Sequence, residues 1–241
     1  SFSPWATSSL AYRLFWGLSI RCFGITERQP SKKGTTNAKT MLELFDAFAP
    51  ELPDATIKYY PNFLSTQEAD ILFELLTNET PWRNDPITVF GKTYPQPRMT
   101  SLHGHTTDPY GYSGIVMQPN PMSKSLLDIE QKLEAYTDEI FTTVLLNLYR
   151  DGQDSNGWHA DNEKELGVNP VIASVSLGAS RFFHLKHNTD TSQKLKLKLT
   201  HGSLLLMEGA TQHFWKHQIA KTAKAVAPRI NLTFRKVLKA H

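Results

Sequence analysis

Residues 147–166, "NLYRDGQDSNGWHADNEKEL", set one imidazole and one carboxylate two positions apart, His159 and Asp161. They follow an apolar run and a turn rich in Gly, Asp and Asn. In an extended segment, residues i and i+2 share a face, so both groups can aim at one point. A polar loop is the commonplace alternative for any single His-x-Asp. A further imidazole from another strand would complete a set of two histidines and one carboxylate. That set holds Fe(II) on one face of an octahedron and leaves positions for co-substrate and oxygen. His184, His201, His213 and His217 all lie downstream. His217, in "QHFWKHQI", has His213 as its nearest rival, and spacing alone does not choose between them.

A second group of residues fits the same chemistry. In "PRINLTFR", residues 228–235, Arg229, Asn231, Thr233 and Arg235 alternate with Ile230, Leu232 and Phe234. On a strand these are two opposite faces. The polar face either meets water or lines a pocket. Two guanidiniums in a pocket require a dianion, because an unpaired buried charge is costly. A small dicarboxylate fits, since Arg grips carboxylates through two parallel hydrogen bonds. Asn147 and Tyr149 alternate on the run before His159 and offer further hydrogen bonds.

These groups need a scaffold. "STQEADILFELL" places Ser65 at a helix N-cap with Glu68 three residues on, a capping box, and Ile71, Leu72, Leu75 and Leu76 on one face. "SKSLLDIEQKLEAYTDEI" is a second amphipathic helix, with Leu126, Leu127, Ile129 and Leu133 apolar. From about residue 141 the pattern becomes one of short β-type runs: "FTTVLLNLY", "VIASVSL", "RFFHLK", "KLKLKLT", "SLLLMEG" and "INLTFRK". Helices followed by many short strands predict an α+β domain whose second half is a sandwich or small barrel.

Composition bounds the rest. The 241 residues are 40 % hydrophobic and contain one cysteine, Cys22, so no internal disulfide can form. No apolar run approaches the ~18 residues that cross a bilayer, and no membrane role is expected. Residues 1–40 carry six basic side chains and one acidic, residues 41–180 eight and twenty, residues 181–241 twelve and two. The basic last third suits a polyanionic partner, with a solvated basic face as the alternative. Residues 1–40, acid-poor and containing Ser and Arg, read as an extension: either a transit peptide or sequence upstream of a start at Met41. An intracellular protein of nucleus or cytoplasm is expected, or of an organelle if that segment is a transit peptide.

Together, "NLYRDGQDSNGWHADNE", "IASVSLGASRFF", "HGSLLLMEGATQHFWKH" and "PRINLTFRKV" resemble the AlkB family of Fe(II)- and 2-oxoglutarate-dependent dioxygenases. The resemblance covers about residues 55–237. It implies a double-stranded β-helix (jelly roll) core at about 141–237 within a domain spanning 41–241. A nucleotide-recognition lid is implied at about 82–118. It carries iron ligation onto His159, Asp161 and His217, and 2-oxoglutarate binding onto Asn147, Tyr149, Arg229, Asn231, Thr233 and Arg235. It assigns the distal carboxylate of 2-oxoglutarate to Arg235, and it sets Glu163 toward the amino group of a damaged base.

"ITVFGKTYPQPRMTSLHGHTTDPYGYSG" is similar to the lid of the branch that acts on duplex DNA. This implies substrate contacts from Phe90, Arg98, Tyr110, Tyr112 and Ser113, with Val89-Phe90 as a wedge filling the gap left by a flipped base. "WHADNE" and "MEGATQ" are closer to the branch that favours single strands. The implied activity is oxidative demethylation of bases such as 1-methyladenine and 3-methylcytosine in alkylated DNA, by a monomer that uses O2 and releases formaldehyde, succinate and CO2. The alternatives are an RNA demethylase, a protein hydroxylase of the same superfamily, or a jelly-roll binding module without catalysis. The lysine row of "KLKLKLT", Lys194, Lys196 and Lys198, would hold phosphates or guard an edge strand.

Overall fold

The computed structural model describes residues 47–89, 92–108, 110–112 and 115–238. The extension expected at residues 1–40 lies outside these. In chain order, β1 (Thr56–Tyr60) leads to α1 (Thr66–Glu79) and then to the pair β2 (Pro86–Val89) and β3 (Lys92–Pro95). Next come β4 (Met99–Gly104), β5 (Tyr110–Tyr112), β6 (Ile115–Met117), β7 (Asn120–Pro121) and α2 (Lys124–Leu133). The remainder is almost all strand: β8 (Thr143–Tyr149), β9 (Asn156–His159), β10 (Ile172–Gly178), β11 (Arg181–His187), β12 (Lys194–Leu199) and β13 (Ser203–Glu208). A single helical turn, α3 (Thr211–Phe214), precedes β14 (Trp215–Ile219) and β15 (Arg229–Arg235).

The strands form a seven-stranded sheet in the order β1-β13-β10-β15-β8-β4-β7 and a four-stranded sheet in the order β12-β11-β14-β9. All pairings are antiparallel except β4 with β7. Two sheets with this antiparallel mixing are the jelly-roll solution to the edge-strand problem. The larger sheet also draws β1, β4 and β7 from outside residues 141–237.

β15 shows how the sheet positions the site. It lies between β10 and β8, and every residue of it is buried. Ile230, Leu232 and Phe234 pack with Leu126, Ile129, Leu133, Leu72 and Leu76 in a core beneath the two helices. Burying three such side chains contributes roughly 1.5–3 kcal/mol each, and this fixes which face turns outward to the helices. The alternate face, Arg229 to Arg235, is thereby forced into the space between the sheets. There a second core gathers Leu145, Ile172, Leu205, Phe183, Leu185, Leu199 and Trp215.

The helices keep their sequence signals with two shifts. Ser65 Oγ accepts the Glu68 N–H at 3.3 Å, and the Glu68 carboxylate accepts the Ser65 N–H at 2.8 Å, the capping box expected. The buried face is centred on Ala69, Leu72 and Leu76, however, and Ile71 is 61 % exposed. α2 stops at Leu133 rather than running to residue 140, with Leu127 outside its buried face. Gly178 ends β10 at φ +81°, where a Cβ would stand 2.6 Å from the Pro228 carbonyl and 2.7 Å from the Phe73 ring. Only glycine lets β10 reach its turn under α1. No helix among the described residues is long and apolar enough to cross a membrane.

Candidate metal centre

The turn before β9 is held by its own side chains. Asp154 accepts the Arg150 N–H and both arms of the Arg150 guanidinium, each at 2.8 Å. Buried Arg181 then donates to the carbonyls of Asp151 and Asp154 at 3.0 Å and of Ala220 at 2.7 Å. These bonds tie the β8–β9 turn to the β14–β15 connection. β9 is thereby set against β14 with His159 directly opposite His217. The two imidazoles meet edge to face with ring centres 4.2 Å apart.

Asp161 lies just past the end of β9. Its N–H donates to the Gln212 Oε1 at 2.9 Å, and its Oδ2 lies 3.1 Å from the Arg235 guanidinium. Its Oδ1 is buried without a hydrogen-bond partner. One ligand atom from each of His159, Asp161 and His217 falls within 4.8 Å of the others. His159 Nδ1 lies 2.7 Å from the Gly157 carbonyl, which can only accept, so Nδ1 carries the proton and Nε2 presents its lone pair.

The electrostatics suit a cation. Burial would raise the Asp161 carboxyl, but the charges of Arg235 and then of the two histidines hold it down to about 2. Burial pushes His217 down to about 3, with His159 adding to the effect, and burial also lowers His159. At neutral pH the set is therefore one carboxylate and two neutral imidazoles, the protonation state in which these groups bind metal. Glu163 is partly buried two residues on, and burial, then the Asp161 charge, raises its carboxyl.

A cavity opens from these ligands between the sheets, lined by Asn147, Tyr149, Arg229, Asn231, Thr233 and Arg235. Asn231 donates to Ser174 Oγ at 2.7 Å and to the Val175 carbonyl at 3.1 Å, and Thr233 donates to Asn231 Oδ1 at 2.9 Å. Arg229 is 1 % exposed. Its Nη2 donates to Ser176 Oγ at 2.9 Å, and its guanidinium lies 5.2 Å from the centre of the Tyr149 ring. Its Nε and Nη1 have no hydrogen-bond partner. Burial brings its pKa down to about 10, with Tyr149 opposing, so the charge remains at neutral pH.

Both arginines expected at the co-substrate line this cavity. The family resemblance gives Arg235 the distal carboxylate; in the structure its guanidinium pairs with Asp161 at the metal end. Arg229, at the opposite end of β15, leaves its Nε and Nη1 without a hydrogen-bond partner. Alternation along a strand puts both arginines on one face, but it does not say which end meets the metal; the contact of Arg235 with Asp161 does.

Among the expected substrate contacts, Arg98 is buried and donates to Asn147 Oδ1 at 2.7 Å, joining the cavity wall. Tyr110 and Tyr112 lie on β5. Phe90 and Ser113 lie outside the described residues. Ser174, Ser176, Gln212 and Arg181 are site-supporting residues that the sequence reading missed. The two serines alternate with apolar residues in "VIASVSL", a usable signal, whereas nothing local marks Gln212.

The donors present fit two specific groups. The His-Asp-His set with an open carboxylate oxygen fits Fe(II), and the open donors of Arg229 fit a carboxylate. The 2OG-Fe(II) oxygenase superfamily model matches residues 56–235. The mouse alpha-ketoglutarate-dependent dioxygenase alkB homolog 3 is 42 % identical over 187 residues, 74 % of this chain and 65 % of that protein. The mouse DNA oxidative demethylase ALKBH2 is 35 % identical over 189 residues, 74 % of this chain and 79 % of that protein. The solved structure of OsALKBH1 superposes with a TM-score of 0.54 at 19 % identity, covering 78 % of this chain and all of that one, a likeness of fold. The chain thus spans just under two-thirds of the first of these relatives. Ligand geometry, fold and sequence converge: the chain belongs to the AlkB group of the 2OG-Fe(II) oxygenase superfamily, whose chemistry takes Fe(II), 2-oxoglutarate and O2.

Proposed function

We propose that this chain is an oxidative demethylase of N-methylated bases in nucleic acid, DNA first among them. The carrying observation is the adjacency of the His159–Asp161–His217 cluster and the open donors of Arg229 across one cavity. The substrate class rests on the relatives named DNA oxidative demethylase. Fe(II) with 2-oxoglutarate and O2 supplies the oxidant that hydroxylates the methyl carbon, and succinate and CO2 leave.

The chain's own residues do the rest. His159, Asp161 and His217 hold the metal, and Arg235 and Gln212 hold Asp161 in place. Arg229, with Tyr149 beside it, holds the distal carboxylate of 2-oxoglutarate. Arg98 orients Asn147 in the wall. Glu163, partly buried two residues beyond Asp161, faces the base, and its carboxylate suits the positive charge of 1-methyladenine or 3-methylcytosine. The hydroxymethyl group then departs as formaldehyde and leaves the unmodified base.

The test is turnover with Fe(II) and 2-oxoglutarate on oligonucleotides carrying 1-methyladenine or 3-methylcytosine, single-stranded, duplex and RNA, beside a methylated peptide. Restored base with formaldehyde in equal amount is expected on DNA. Succinate formation without restored base on any nucleic acid would refute the proposal.

A further inference from the structure

We propose that the outer face of the four-stranded sheet is a second contact surface for single-stranded nucleic acid, continuous with the active site around β9. It rests on the nucleic-acid reading above. The inner face of this sheet carries His159, His217, Phe183 and Leu185. The outer face carries Trp158, Phe182 and five lysines, Lys186, Lys194, Lys196, Lys198 and Lys216. The four strands contain no Asp or Glu.

The lysines are not scattered. Lys186 stands directly opposite Lys194 on one side and Lys216 on the other, and Lys198 opposite Phe182. Like charges placed opposite one another destabilise a sheet. Guarding an edge requires charge only on the edge strand β12, yet Lys186 and Lys216 lie on the interior strands β11 and β14. A row that costs stability and exceeds edge protection fits a polyanion. The two aromatics select which one. Trp158 is 40 % exposed and Phe182 47 % exposed, and each has an ammonium over its ring, Lys186 at 4.4 Å and Lys196 at 4.2 Å. Cations interleaved with rings are the arrangement that pairs phosphates with stacked bases, whereas an acidic protein surface has no use for two flat rings.

Location links this face to the site. Trp158 immediately precedes His159 on β9, the other edge of the sheet. One strand therefore presents a metal ligand inward and a stacking ring outward. A nucleic-acid strand leaving the metal centre rounds this edge and crosses about 14 Å of sheet, three strand spacings, of which β14, β11 and β12 bear the lysines.

The experiment measures anisotropy of a labelled, unmethylated single strand of about 16 nucleotides against salt. The triple variant Lys186→Gln/Lys196→Gln/Lys216→Gln is expected to weaken binding at least about tenfold and to flatten the slope of log affinity against log salt by about 2. Trp158→Ala is expected to weaken binding about tenfold with the slope retained. The KM for 2-oxoglutarate of the triple variant should not move. Unchanged affinity and slope in the triple variant overturn the proposal, whether or not that variant instead self-associates or loses an acidic protein partner. The readout needs no turnover. A wild-type protein that binds the strand but restores no methylated base refutes the demethylase reading and leaves this surface standing.

Discussion

Asp161 does two jobs with two oxygens: Oδ1 is open toward the histidines and Oδ2 pairs with buried Arg235. Asp161→Ala should therefore cost more than metal. It strands a buried guanidinium, worth about 3–5 kcal/mol of stability in the metal-free protein. Asp161→Asn keeps an acceptor there and should lose iron with a smaller fall in melting temperature. Equal melting temperatures for the two variants would show that the pair is not a structural element. Arg235→Gln separates the two assignments of that arginine. As an orienter of the metal ligand, it should lower Fe(II) affinity by about 10–100-fold. Unaltered iron affinity with a raised KM for 2-oxoglutarate would restore it to the distal carboxylate. The donor types of this site were legible in the sequence, because His-x-Asp and Arg-x-Asn-x-Thr-x-Arg alternate as strands require. Which arginine stands beside the metal ligands was not, because that depends on where Asp161 docks against β15, a contact between distant segments.

At the scale of elements, local signals survived where a residue speaks to its own neighbours. The Ser65–Glu68 box is one such case, and the alternation within β12 is another. The signals faded where a face is set by distant packing: Ile71 has the right spacing for the buried stripe of α1, but β10 meets that helix around Phe73 instead. β1 and β4 were missed because each is a short mixed run that becomes a strand only against β13 and β8. β4 carries His103, whose ring joins strands. Its Nδ1 lies 2.9 Å from the Pro121 carbonyl of β7 and its Nε2 3.1 Å from Ser101 Oγ. The carbonyl accepts from Nδ1–H, so Nε2 accepts from the serine in the neutral ring. Burial lowers the His103 pKa, against the opposing pull of the Pro121 carbonyl. The folded state then binds the proton less readily than the unfolded one. The stability from this group is fully present above the unfolded value of about 6.5 and is lost as pH falls below it. Urea midpoints at pH 7.5, 6 and 5 should fall more steeply for the wild type than for His103→Gln. Parallel curves would remove His103 as a source of acid sensitivity.

Across the whole molecule, the co-substrate wall is built on a central strand, whereas the metal ligands sit on edge strand β9, just beyond its end, and on β14. Arg229, Asn231, Thr233 and Arg235 occupy the strand that also holds the helix-side core, so function and stability share one element. Such a placement makes the two trade against each other. A fully buried guanidinium with two open donors costs stability until a carboxylate meets it. 2-Oxoglutarate added with Fe(II) at about 100 times its Kd should contribute about 2.7 kcal/mol through linkage. For a chain of this size that is a rise of about 5–10 °C in Tm. Arg229→Met tests the trade directly, since it fills similar volume without charge. The variant should melt at or above the wild type when both lack ligand, should show little shift on adding 2-oxoglutarate, and should raise the KM for it at least about tenfold. The iron-dependent part of the shift should persist, because the metal ligands are untouched. A variant that melts well below the wild type while still responding to 2-oxoglutarate would mean that Arg229 is a packing residue. The distal carboxylate would then have to be held by Arg235, at the cost of releasing Asp161.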